Sequence, residues 1–207
     1  MPTNIQVIFY SLHGHVYQLA EAIAEGARQV PDSNVELFQV AETLSADVIA
    51  NMGGTDTRKA FQHVPIAQID HLRDADAIFF GAPTRYGSAI AQMQAFFDQT
   101  GKLWGTGALV GKVGSVFTST GTQHGGQETT CMSMYTFLIH QGMLISGCPY
   151  AEQALLNMDE ITGGSPYGAA TLAGPRGDRQ VTENERKIAR YQGRHVADIA
   201  RRLKASK

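Results

Sequence analysis

The sequence predicts a doubly wound α/β fold, a parallel sheet with helices on both faces. Two observations carry this. Short apolar runs alternate with stretches of helical periodicity along the chain. The runs at 5–10, 76–83 and 112–119 are almost continuously apolar, as strands covered on both faces are. The bulk numbers agree. The chain has 207 residues, 43% hydrophobic and 17% charged, which suits one globular domain with a sizeable core.

Taken in order, "IQVIFY" (5–10) is the first strand. A helix over 15–27 follows, with Val16, Leu19, Ala20, Ile23 and Ala27 at helical spacing. The polar turn "PDSN" leads into "VELFQV" (35–40), the second strand. Residues 41–66 carry a weak helical pattern and then "NMGGTDTRKAFQHVP", which minimal alternation does not need. The third strand is "DAIFFGAP" (76–83), followed by a helix over 90–99 through Ile90, Met93, Phe96 and Phe97. "KVGSVFTS" (112–119) is the fourth, followed by a helix over 127–140 through Cys131, Met134, Tyr135 and Leu138. "GMLISGCP" (142–149) is the fifth. Residues 150–181 are rich in Gly and Pro; a long irregular segment of this kind reads as site-lining or subunit-bridging. Thr182 and Glu185 have capping-box spacing and open a last helix with the stripe Ile188, Tyr191, Ile199 and Leu203. No repeat or linker divides the chain. One domain over 1–207 is expected, with insertions at about 41–66 and 150–181.

Several function classes are excluded. A net charge of −2 rules out a strongly basic nucleic-acid binder. It also lacks the acidity of a small electron carrier that docks on basic partners. Cys131 and Cys148 form no CxxC or Cys/His cluster, and read as buried reduced thiols. The sequence shows no leader and no membrane-spanning run, so a cytoplasmic protein is expected.

In an open parallel sheet, ligands bind at the carboxyl ends of the strands, near the switch in strand order. Three loops leave strands at that edge: 11–15, 82–89 and 119–126. All are rich in Gly, Ser, Thr and His. In "SLHGH", the free amides of a helix start suit a phosphate. Ser11 adds a hydroxyl, Gly14 a tight turn, and His15 a further candidate donor. A metal would need more ligands, and no acidic or cysteine partner lies nearby. In "APTRYGSA", Pro83 and Gly87 shape the loop, Thr84 and Arg85 offer donors, and Tyr86 a flat face. This suits the polar edge of a planar heteroaromatic ring. "STGTQHGG" is a loop of accessible backbone donors that favours negative charge. Rival phosphate motifs fit worse. The first loop has one glycine where GxGxxG needs three. "GALVGKV" (107–113) has its glycines one residue too close for a P-loop and precedes a strand.

Seven stretches in order resemble the WrbA-type NAD(P)H:quinone oxidoreductases: "YSLHGHV", "GAPTRYGS", "FFDQTGKLW", "STGTQHGGQE", "HQGM", "SPYGAATLAG" and "IARYQG". The resemblance covers nearly the whole chain. It implies a flavodoxin-like five-stranded sheet of order 2-1-3-4-5, FMN as cofactor, and a homotetramer with sites near subunit interfaces. By position, Ser11, Leu12, His13, Gly14, His15 and Val16 would form the phosphate loop. Pro83, Thr84, Arg85, Tyr86 and Gly87 would form one flavin-ring loop, and Ser119, Thr120, Gly121, Thr122, Gln123, His124 and Gly125 the other. His140 matches a flavin-contacting histidine and is the candidate catalytic group. Trp104, Tyr150 and Asp98 match pocket-lining residues, Asp98 reaching a neighbouring subunit's site. His13 stands where the family often has a Tyr that contacts the nicotinamide nucleotide, which leaves NADH against NADPH open. The function implied is FMN-dependent two-electron reduction of quinones by NADH or NADPH, ping-pong on one flavin face. The alternatives are a one-electron flavodoxin-like carrier and an accessory FMN-binding protein.

Overall fold

The computed structural model describes residues 1–206. Its strands are β1 (Thr3–Phe9), β2 (Ser33–Gln39), β3 (Ala77–Arg85), β4 (Ser88–Ala89), β5 (Val113–Thr120), β6 (Leu144–Ile145) and β7 (Ala170–Leu172). Its helices are α1 (His15–Arg28), α2 (Ala46–Asn51), α3 (Thr55–Arg58), α4 (His71–Asp74), α5 (Ala91–Asp98), α6 (Gly101–Gly105), α7 (Gln127–His140) and α8 (Glu183–Ala205). The main sheet is parallel, ordered β2-β1-β3-β5-β6. This is the predicted 2-1-3-4-5 order, the fourth and fifth predicted runs being β5 and β6.

Strand alternation sorts the core into two layers. Ile5, Val7, Phe9, Phe79 and Phe117 point to the side covered by α1 and α8. Ile8, Ile78, Phe80 and Val116 point to the side covered by α5 and α7. A helix of α1's length is marginal alone in water. Its buried face, with Val16, Leu19, Ala20, Ile23 and Ala27, holds it down. Burying each large apolar side chain contributes about 1.5–3 kcal/mol. Helix α8 begins at the expected capping box, with Thr182 and Glu185 capping each other. It then crosses α1 at a pair of glycines. A Cβ on Gly26 would lie 1.8 Å from the Arg190 carbonyl oxygen, and one on Gly193 would lie 2.0 Å from that of Ile23.

Three features differ from the sequence reading. The fifth strand position is split. Of the predicted run 142–149 only β6 is strand, pairing with Val113 and Gly114; β7 pairs farther along with Thr118, Ser119 and Thr120. Between them, buried Gln192 of α8 serves the open edge. Its Nε2 donates to the Val116 carbonyl at 2.9 Å, and its Oε1 accepts from the Ala169 amide at 2.7 Å. Those are the edge groups a continuous strand would have satisfied. Second, residues 82–89 form a β-hairpin, β3 returning as β4. Its turn residues Tyr86 and Gly87 both have positive φ, 54° and 82°, as a type I′ turn demands. Third, the 41–66 insertion is ordered as α2, α3 and a 3₁₀ turn over Lys59–Phe61. Among the described residues, no helix is long and apolar enough to cross a membrane.

Candidate functional site

A cleft of about 310 Å³ opens at the carboxyl edge of the sheet, between the loops that follow β1, β3 and β5. Strand order reverses between β1 and β3, so this is the switch point where such folds bind ligands. Ser11, Leu12, His13, His15 and Val16 line it from the first loop, Pro83, Thr84 and Arg85 from the second, and Ser119, Thr120 and Gly121 from the third. The sequence reading brought these three loops together, and the fold places them in one concavity.

The floor is the start of α1. Gly14 is its N-cap, at φ 83° and with no side chain to cap the helix. The first amide to close a bond into the helix is that of Gln18, onto the Gly14 carbonyl at 3.0 Å. The amides of His15, Val16 and Tyr17 therefore have no intrahelical partner. They sit at the positive end of the helix dipole. Among the described residues no carboxylate lines the cleft, while Arg85 and Arg176 stand at its rim. Leu12, Val16, Met52 and Pro83 add an apolar wall. Unpaired amides, positive rim charge and one apolar wall form a donor set that fits a phosphorylated planar group such as FMN.

The fourth wall comes from residues 173–177, which follow β7. A turn closes this strap, with the Gly177 amide on the Gly174 carbonyl at 3.1 Å. His15 holds its far end: Nε2 lies 2.8 Å from the Arg179 carbonyl. A carbonyl can only accept, so Nε2 carries the proton and His15 serves the strap through that nitrogen. Arg179 itself donates to the fully buried Glu185 at 2.9 Å. His13 packs against the strap at Gly177. Burial, then the charges of His15 and Arg85, push the His13 imidazole below its usual value.

Other expected donors are committed elsewhere. The Thr84 hydroxyl accepts from the Gly87 amide at 3.1 Å and lies 2.8 Å from the Thr130 hydroxyl, which ties the hairpin to α7. Tyr86 and Gly87 form the hairpin tip beyond the cleft, with Tyr86 fully exposed. Thr122, Gln123, His124 and Gly125 form the outer part of the third loop, outside the cleft lining. Gln123 lines a neighbouring concavity with residues 154–164.

Four expected residues lie away from the cleft of their own chain. His140 ends α7 at the edge where strands begin, close to β6, whose Leu144 pairs with the first residue of β5. Asp98 and Trp104 lie near the same edge, because the intervening Thr100 hydroxyl accepts from Gln141 at 2.9 Å. Tyr150 is exposed on the excursion between β6 and β7. The sequence reading did not assign Met52 or the strap residues to the site. The Gly and Pro content of 150–181 marked a site-lining segment without saying which residues; nothing in "NMGGTDTRKAF" pointed to Met52.

Comparison with known proteins agrees with the geometry. Residues 3–154 match the family described as NADPH-dependent FMN reductase. A protein of Trichlorobacter lovleyi named NAD(P)H dehydrogenase (quinone) is 57% identical over 203 residues, covering 98% of this chain and 100% of its own. One of the same name from Syntrophobacter fumaroxidans is 56% identical over 200 residues, covering 97% and 98%. Among solved structures, a WrbA-like flavodoxin protein from Agrobacterium tumefaciens superposes with a TM-score of 0.64 at 24% identity, over 97% of this chain and 98% of that one. An archaeal flavodoxin gives 0.62 at 19% identity, over 96% and 99%. At these identities the structural likeness speaks to the fold.

Proposed function

We infer the function from one premise: the chain belongs to the NADPH-dependent FMN reductase family. It is an FMN-dependent enzyme that reduces quinones with NADH or NADPH. The observation that carries this reading is the cleft at the switch point, floored by helix-start amides with no intrahelical partner and, among the described residues, free of carboxylates. FMN, when bound, supplies the two-electron chemistry that links nicotinamide to quinone. The protein's own part is to bind, orient and shield.

The amides at the start of α1 and the Ser11 hydroxyl would hold the phosphate. The Ser119–Gly121 backbone and Arg85 would meet the polar edge of the ring, and their positive character favours an anionic occupant over a neutral one. Leu12, Val16, Met52 and Pro83 would exclude water from one side. The nucleotide and the quinone would enter in turn by the same mouth, which Tyr86 flanks.

The remaining sites need a second copy of the chain. His140, Asp98 and Trp104 lie at the edge of the sheet opposite their own cleft. Trp104, Val110, Ile139, Leu144 and Ile145 are all exposed around them. An exposed apolar set of this size reads as an interface. The reading is a homotetramer in which a neighbouring subunit brings these residues to the cleft, His140 being the candidate proton donor to quinone. It also places the protein in the cytoplasm, where two buried free cysteines stay reduced.

The test is to add FMN to the apoprotein and follow NADH and NADPH oxidation with and without benzoquinone. A quinone-dependent rate with at least one nucleotide is expected. Absence of that rate with both overturns the assignment. His140→Ala should lower quinone turnover at saturating FMN; unchanged turnover removes His140 from the chemistry.

A further inference from the structure

Outside the cleft lining, Thr57 and Arg58 of the 41–66 insertion grip the phosphate loop by its carbonyls. The Thr57 hydroxyl shares its proton between the Leu12 carbonyl at 2.9 Å and the Gly54 carbonyl at 3.0 Å. Arg58 Nη1 donates to the Ser11 carbonyl at 3.1 Å. A peptide unit is planar and trans, so its C=O and the next residue's N–H point in opposite directions. Anchoring the Ser11 carbonyl to Arg58 therefore turns the Leu12 amide the other way. Anchoring the Leu12 carbonyl to Thr57 does the same for the His13 amide. Both residues line the cleft, and neither amide bonds to another group among the described residues.

Arg58 is itself held firmly. It pairs with Glu42 at 2.9 Å, and its guanidinium lies 5.7 Å from the ring centres of both Tyr10 and Phe61. Glu42 also accepts from the Tyr10 hydroxyl at 2.9 Å and from Gln92 at 3.1 Å. The charge of Arg58 is thus answered behind the loop, in a loop that carries no Lys or Arg of its own. We propose that Arg58, with Thr57, is a positioning residue: by fixing two carbonyls from the rear it aims the Leu12 and His13 amides at the phosphate of FMN. This rests on the FMN reading above. It gives Thr57 and Arg58, neither of which lines the cleft, a function at the site without contact to the ligand.

The test compares FMN with riboflavin, which has the same ring and no phosphate. Affinities are read by flavin fluorescence on apoprotein of wild type, Thr57→Val, Arg58→Met and Arg58→Lys, with melting temperatures alongside. Wild type should prefer FMN. Thr57→Val and Arg58→Met should each cut that preference by about tenfold, the worth of one to two net hydrogen bonds. Riboflavin affinity should stay within about twofold. Arg58→Lys should fall between, because an ammonium keeps the charge but not the fork. The inference is overturned if FMN and riboflavin weaken together, which marks a general scaffold. It is overturned equally if Arg58→Lys keeps the full preference while Thr57→Val is silent, which marks attraction by charge alone. Wild type that binds no FMN overturns the cofactor reading and this inference with it. Wild-type binding with an unmoved preference in the variants overturns this inference alone.

Discussion

Glu42 is the residue on which the rear of the phosphate loop depends. Burial raises its carboxyl pKa, but the amides of Leu44 and Thr43, the Tyr10 hydroxyl and the Arg58 charge outweigh that and hold it below the usual carboxylate value. Burial and the same carboxylate push the Tyr10 phenol up, so Tyr10 stays protonated and donates. The sign follows from linkage. A carboxyl whose folded value is depressed contributes stability above its unfolded value and loses it as the pH falls through the folded value. Melting temperature should therefore drop on acidification below the ordinary carboxylate range, and Glu42→Gln should flatten that part of the profile. An unaltered profile in the variant would show that Glu42 is not the group titrating. At this scale the motif residues were legible because their types announce donors. Their partners were not: that His15 holds a strap and Thr84 braces a hairpin depends on Arg179 and Thr130, distant in sequence. Tyr86 was legible as a flat face, but not as a bulky residue held at φ 54°, a conformation such residues avoid.

Among the elements, α1 and α8 cross so closely that glycine is required at the contact. Ala in place of Gly193 would gain about 1 kcal/mol of helix propensity. Against this, its Cβ would overlap the Ile23 carbonyl, a backbone atom that cannot swing away. The overlap wins, because overpacking of a rigid contact costs about 1–3 kcal/mol or more. Gly193→Ala should lower the denaturant midpoint and, because α8 sets the seat of α1, weaken FMN binding too. Gly105→Ala, in α6 with open space around it, is the control and should be neutral or slightly stabilising. Equal effects of the two substitutions would refute the packing account. The long helices were legible almost residue for residue, since periodicity and the Thr182–Glu185 cap mark them directly. The split fifth strand was not. "GMLISGCP" is apolar throughout, and only the return of β7 from 25 residues later shows where pairing stops and resumes.

For the whole molecule, the family resemblance implied the sheet order, and the alternation of strands and helices marked the edge where the three loops meet. The helices expected over 90–99 and 127–140 end beside Asp98 and at His140, so a returning helix already put both at the opposite edge. That Trp104 joins them there depends on the Gln141–Thr100 hydrogen bond, which links residues 41 apart. The interrupted fifth position has a consequence for the integrity of the chain itself. The excursion from β6 to β7 leaves the sheet and returns to the same edge, and Met158 midway is almost fully exposed. A chain divided there gives one part with β1–β6 and α1–α7, and another with β7, the strap and α8. The two parts share the α1–α8 crossing, the β5–β7 pairing and the Gln192 bonds to β5. These contacts predict that covalent continuity at that point is dispensable. Fragments 1–158 and 159–207 produced together should copurify and bind FMN, and fragments that stay apart or precipitate would refute this. The protein is then a two-piece lock in which the minor piece carries the strap that closes over the cofactor's seat.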